Sequence, residues 1–192
     1  MPLDLSLITT MDALSHSFEA IWNKNANSVS TEYATEAICL ILNNVKKLRN
    51  GLDNIEVRNV LLRASCIAGQ AFSNTKSAAA HSISYPLTAN FGIPHGIASS
   101  ISLIPLLDIN ASRINKALTS ILRRLQMTGL NDLKEEIKKL QYSVLKYSLR
   151  DWGVKANQLN WLVSQSFTRG RIENNIIDLS RKDIHHILES VF

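Results

Sequence analysis

The chain has 192 residues, 45% of them hydrophobic and 19% charged, with 7 Gly and 4 Pro, a balance that suits a globular protein with one sizeable core. No run approaches the roughly 18 consecutive apolar residues of a membrane helix, and residues 1–10 carry neither a basic leader nor a small-residue cleavage site, so a cytoplasmic protein with no membrane contact is expected. The net charge of +5 comes from residues 111–192, with 14 basic against 8 acidic side chains, but these alternate with apolar residues as in 133–140. That pattern is a solvated helix face, and no nucleic-acid recognition motif accompanies it.

Taken in chain order, the apolar residues recur at helical steps nearly throughout. A short alternating stretch at residues 3–7 is the one candidate strand. Tyr33, Ala37, Ile38, Ile41, Leu42, Val45 and Leu48 gather on one helix face, and Gly51 supplies a stop. Asp53 and Glu56, at capping-box spacing, open a second helix running through Val57, Val60, Leu61, Ala64, Ala68 and Ala71. A third apolar stretch covers residues 78–87, and a fourth covers 95–104 and ends near Pro105. Residues 113–127 and 132–149 read as amphipathic helices parted at Gly129, and 157–165 as a shorter one. Ser180 and Asp183 cap a last helix that buries Ile184, Ile187, Leu188 and Val191. The expected fold is all-α, a helical bundle forming one domain over residues 1–192. Cys39 and Cys66 both fall in apolar helical stretches and read as buried free thiols.

Two sequence features point to a cation. In Asp12-Ala13-Leu14-Ser15-His16 a carboxylate and an imidazole four residues apart lie one above the other on a helix, where both can reach one ion. His81 and His95 are the second pair. His95 sits in Gly92-Ile93-Pro94-His95-Gly96, a tight entry into a helix that aims its side chain from a fixed position. His185 and His186, on the terminal helix, are assigned solvent or core roles. One aspartate with three histidines suits Fe(II), Zn(II) or a related divalent ion, and the absence of thiolates argues against a finger-type zinc.

The segments Met11-Asp12-Ala13-Leu14-Ser15-His16-Ser17-Phe18-Glu19-Ala20, Ala71-Phe72-Ser73-Asn74 and Phe91-Gly92-Ile93-Pro94-His95-Gly96 resemble the iron-containing, or group III, alcohol dehydrogenases. The stretch Phe167-Thr168-Arg169-Gly170-Arg171 through Asn174-Asn175 resembles that family's closing motif. The resemblance implies that Asp12, His16, His81 and His95 bind one divalent metal, most often Fe(II) with Zn(II) as the alternative. It further implies hydride exchange between NAD(P)H and a small aldehyde or alcohol whose oxygen the metal holds. A homo-oligomer is expected on the same ground.

Family members also carry an N-terminal α/β domain with a glycine-rich turn for the cofactor phosphates. The glycines at 51, 69, 92, 96, 129, 153 and 170 never cluster, so that domain is expected to be absent from these residues and the chain to be half an enzyme. The chain also departs from the family at three other positions. Tyr85 stands where many members have a histidine near the reacting centre, and is the candidate catalytic proton carrier. Thr75 and Lys76 stand where many have small residues and are candidates for substrate binding; on one continuous helix Lys76 would lie about 7.5 Å from His81 along the axis. Asn74-Thr75-Lys76 with His81-Ser82-Ile83-Ser84-Tyr85-Pro86 resembles the phosphonoacetaldehyde reductase branch, in which the aldehyde carries an anionic group. Two other readings compete: a non-catalytic metal-binding or interaction domain left after loss of the cofactor half, and a basic nucleic-acid binder.

Overall fold

A computed structural model describes residues 1–50, 54–141 and 146–192, and shows an all-helical domain. Helices α1 (Leu3–Ile21), α2 (Ser28–Asn44), α3 (Ile55–Thr75), α4 (Ala79–Phe91) and α5 (His95–Ser100) form the part that carries the histidines. Helices α6 (Leu103–Asn110), α7 (Asn115–Arg124), α8 (Leu130–Gln141), α9 (Leu159–Gln165) and α10 (Arg181–Ser190) complete the domain. Among the described residues, extended pairing is limited to an isolated antiparallel bridge between Asn23 and Asn175.

Helix α1 is the axis of the core. Leu7, Met11, Leu14, Phe18 and Ile21 are buried along it, and it packs against α2, α3 and α5. Such a helix can also bury hydroxyls because they return their hydrogen bonds to its own backbone: Thr10, Ser15 and Ser17 donate to the carbonyls of Ser6, Met11 and Ala13 at 2.7–2.9 Å. Residues 3–7 belong to this helix, which corrects their reading as a strand. Short-range alternation is a weak signal, and here it does not track burial: Leu7 is buried while Leu5 is 47% exposed.

Several helix limits differ from the sequence reading. The start of α3 is capped by Asn54, whose side chain accepts from the Val57 amide, so Glu56 is a first-turn residue without a capping-box role. Gly51 and Asp53 lie outside the described residues. Helix α4 continues through Pro86 to Phe91, four residues past the expected end, and stops at Gly92 in the left-handed region (φ 65°). Pro105 does not end a helix; it occupies the first turn of α6, where the missing N–H would have had no intrahelical partner. Of the expected helix 132–149, α8 accounts for the part up to Gln141, residues 142–145 lie outside the described residues, and a new 3₁₀ turn begins at Leu149. The terminal helix α10 has the expected Ser180/Asp183 capping box and buries Ile184, Ile187 and Leu188. Cys39 is buried, but Cys66 is exposed, on the outer face of α3.

The closing segment is tied to the start of the domain. Ile176 and Lys24 amides donate to the Trp22 and Asn174 carbonyls at 2.8 Å. Asn110 and Asn175 exchange side-chain hydrogen bonds in the interior. The Asn174 side chain donates to the Ser77 carbonyl at 2.8 Å, which sets residues 168–175 beside the α3–α4 turn. No helix among the described residues is long and apolar enough to cross a membrane.

Candidate metal centre

Three helices deliver the four candidate ligands to one place. Asp12 and His16 are one turn apart on α1, His81 is in the first turn of α4, and His95 is the first residue of α5. Helix α5 reaches α1 because residue 96 is glycine: a Cβ there would stand 2.0 Å from the Ile8 carbonyl oxygen. Pro94, with ψ 135°, turns the chain into α5 so that His95 leads it.

The three Nε2 atoms of His16, His81 and His95 lie 3.7, 3.6 and 3.5 Å from the Asp12 carboxylate oxygens. These separations are too long for hydrogen bonds. They are the spacing of ligands that share an ion, because two donors each about 2.1 Å from a tetrahedral centre stand about 3.4 Å apart. One donor atom each from Asp12, His81 and His95 falls within a 4.8 Å set. His81 Nε2 is buried with no hydrogen-bond partner, a costly state for a polar atom unless something coordinates it. The donor set therefore fits a divalent cation. The His81 side chain is 3% exposed and that of His95 42%, so the cluster opens towards solvent on the α5 side.

Neighbouring groups hold the candidate ligands. Ser99 donates to Asp12 Oδ1 at 3.0 Å. Phe72 on α3 packs on the His16 ring with centroids 4.4 Å apart, and His16 stacks on His81 at 4.2 Å. Glu19, fully buried on α1, receives His81 Nδ1 at 2.6 Å.

Burial opposes ionisation of Asp12, but the His81, His16 and His95 imidazoles around it hold its pKa below the usual carboxylate range. Burial and repulsion from His81 push His16 down to about 4, which favours the neutral imidazole. Burial also works to lower His81, yet Glu19 and Asp12 outweigh it and carry the imidazole to about 10. Glu19 remains ionised despite burial because His81 and the Ala78 and His81 backbone amides stabilise its charge.

The other sequence candidates lie around this cluster in different ways. The Tyr85 ring stacks on His95 with centroids 6.5 Å apart, and its phenol oxygen accepts from Arg171 Nε at 3.3 Å. Thr75 is fully buried at the end of α3, with its hydroxyl donating to the Lys76 carbonyl at 3.2 Å. Lys76 is not on one helix with His81: it ends α3 at φ 66°, ψ 173°, and α4 starts afresh at Ala79. Its backbone N–H still closes the last turn onto Phe72, so Lys76 lies one turn from the residue that packs on His16. His185 pairs with Glu189 on α10, outside the cluster.

Sequence reasoning did not give Glu19 a role. An acid three residues after His16 on the same helix face was the available signal.

Among the described residues the domain is all-helical and brings one carboxylate and three imidazoles together, a thiolate-free donor set of the kind that suits a divalent cation. Residues 6–192 match the family described as "Fe-containing alcohol dehydrogenase family, C-terminal", and the chain belongs to that family. It is 28% identical to 1,3-propanediol dehydrogenase of Klebsiella pneumoniae over 200 residues, covering 100% of this chain and 52% of that protein. The 4-hydroxybutyrate dehydrogenase of Clostridium kluyveri is 26% identical over 205 residues, with 100% and 54% covered. The crystal structure of sulfoacetaldehyde reductase from Bifidobacterium kashiwanohense in complex with NAD+ matches all of this chain with a TM-score of 0.90 at 25% identity, over 51% of its own length. The chain thus spans about half the length of the relatives it matches.

Proposed function

We propose that this chain is the metal-binding half of an NAD(P)-dependent iron-containing alcohol dehydrogenase or aldehyde reductase. The observation that carries the proposal is the meeting of the Asp12, His16, His81 and His95 donors, drawn from α1, α4 and α5. A divalent cation held at these residues would supply Lewis-acid polarisation of an aldehyde or alcohol oxygen, and the hydride chemistry would belong to a nicotinamide bound by the other half of the fold.

The chain's own residues bind, orient and move protons. Asp12 and the three imidazoles hold the cation, and Ser99 and Phe72 restrict two of those ligands. Tyr85 stands over His95 at the exposed edge, with its phenol oxygen braced by Arg171, so its proton is available to a substrate oxygen there. The 192 residues contain no clustered glycines for cofactor phosphates, so hydride transfer depends on an α/β half working against this face.

A finer reading is an aldehyde that carries an anionic group such as a phosphonate. Its support is the cationic Lys76 one turn past Phe72, together with Arg169 and Arg171 on the segment that Asn174 ties to the α3–α4 turn.

Equilibrium dialysis of the purified chain against Fe(II) or Co(II), followed by metal analysis, tests the core of the proposal. One equivalent is expected for the wild type, with loss of most of it in Asp12→Asn and His95→Ala. Equal uptake by wild type and both variants would overturn it.

A further inference from the structure

Helix α4 starts without a cap of its own. Ala78 occupies the N-cap position, and no side chain from its own turn accepts from the first amides. Residues 78–81 are all buried, so water cannot serve these N–H groups. Glu19, two turns beyond Asp12 on α1, fills the gap from outside: its Oε1 accepts from the His81 amide at 3.0 Å. A negative charge at this end of a 13-residue helix also complements the helix dipole.

The same carboxylate addresses the ring. Glu19 Oε2 takes the Nδ1–H of His81 at 2.6 Å, while Oε1 holds the backbone of the same residue. His81 is gripped at two points by one fully buried side chain, which fixes the plane of its imidazole. Its Nε2 is then left without a protein hydrogen bond, 3.6 Å from Asp12 Oδ1.

We propose that Glu19 is a positioning residue for the metal centre: it holds His81 with the proton on Nδ1 and Nε2 facing the cation, and its charge completes the balance of the site. Asp12 and Glu19 together bring two negative charges, so a divalent ion leaves this buried cluster neutral, which lowers the cost of holding charge away from water. The proposal rests on the metal reading above. Direct ligation by Glu19 is the competing geometry, since one donor atom each from His16, Glu19 and His81 also falls within 4.8 Å. Both Glu19 oxygens are occupied by His81, which favours orientation over ligation.

The test uses the 192-residue chain, Co(II) and a competing chelator. Glu19→Gln keeps the shape and an acceptor but loses the charge; its Co(II) affinity is expected to fall by about 10–100-fold, with a changed visible spectrum. Asn110→Ala, which breaks the buried amide pair with Asn175, serves as a control that lowers thermal stability while leaving Co(II) affinity within about threefold of wild type. Glu19→Gln binding within about threefold of wild type would overturn the proposal while leaving the metal reading intact. Failure of the wild type to bind Co(II) would instead remove both. A measurement that needs no variant is ¹⁵N NMR of the Zn(II)-loaded wild type: His81 is expected to carry its proton on Nδ1 with the metal on Nε2, and the reverse assignment would overturn the proposal.

Discussion

Gly96 and Ile8 meet backbone to backbone, close enough that a side-chain carbon on residue 96 would stand 2.0 Å from the Ile8 carbonyl oxygen. Neither partner is a side chain that could swing aside, so Gly96→Ala must push α5 from α1, and His95 moves with it. The expected cost is on the order of 3 kcal/mol, a fall in Tm of about 6–12 °C, with a loss of metal affinity. Gly92→Ala is the comparison. Nothing lies within 4 Å of a Cβ there, and only the positive φ resists, for about 1 kcal/mol. Calorimetry of the two variants separates steric collision from backbone strain; equal Tm shifts would contradict this reading.

The metal-free protein should be most stable near pH 6.5. His81 is raised to about 10 from its ordinary 6.5, so the stability it contributes is fully present below about 6.5 and is lost as the pH rises through about 10. His16 is lowered to about 4, so folding is disfavoured progressively as the pH falls from about 6.5 through about 4. Glu19, with its lowered pKa, adds to the loss at the acid end. A bound cation needs the His81 Nε2 lone pair and therefore displaces a proton, so the slope above pH 6.5 should reverse when metal is supplied. Thermal melts from pH 4 to 10, with and without chelator, test both slopes. A chelated protein that gains stability steadily from pH 6.5 to 9 would refute this account.

The two cysteines should react differently. Burial pushes the Cys39 thiol up to about 11, whereas Cys66 is exposed on the outside of α3. Iodoacetamide at pH 8 should modify Cys66 alone in the folded protein and both thiols in denaturant. Mass spectrometry of the peptides shows which site reacts, and rapid labelling of Cys39 in the native state would count against the packing described.

Lys76 has φ 66° and ψ 173°, a region populated essentially by glycine, at a cost of about 1–3 kcal/mol for other residues. Lys76→Gly should relieve that strain and raise Tm by about 2–12 °C. If the lysine meets an anionic substrate group, the same change in a two-domain enzyme reconstituted with an α/β cofactor half should lower kcat/KM for a phosphonate-bearing aldehyde by about tenfold or more, and leave a neutral aldehyde unchanged. Lys76→Ala should lose the same discrimination without the gain in Tm. An unchanged preference in both variants would rule out anion recognition by this residue.

Much of this was readable from the chain because the relevant signals are local. The 3.6-residue period marked the helices, and Asp12, His16, His81 and His95 stood out as metal-type residues in helical or glycine-flanked settings. The break between α3 and α4 was not readable, because residues 71–81 contain neither Gly nor Pro and the turn is made by a lysine in a strained conformation. That break corrects the single helix on which the distance from Lys76 to His81 had been reckoned. The placement of Glu19 was hidden for a different reason. An acid on an otherwise apolar helix looks like part of a polar face until the fold brings in its partner from 62 residues along the chain. The exposure of Cys66 was missed because alanines on both sides made the whole of α3 look apolar, whereas only one face is buried.

The proposed donors to the cation come from α1, α4 and α5, which no unfolded chain would hold together. Ion occupancy and folding therefore form a single equilibrium: free metal at a hundred times its dissociation constant would add about 2.7 kcal/mol to the folded state. Iron starvation would then reach beyond idle chemistry, loosening the start of α4 and exposing the domain to proteases, so the supply of the ion would govern how much of this protein survives.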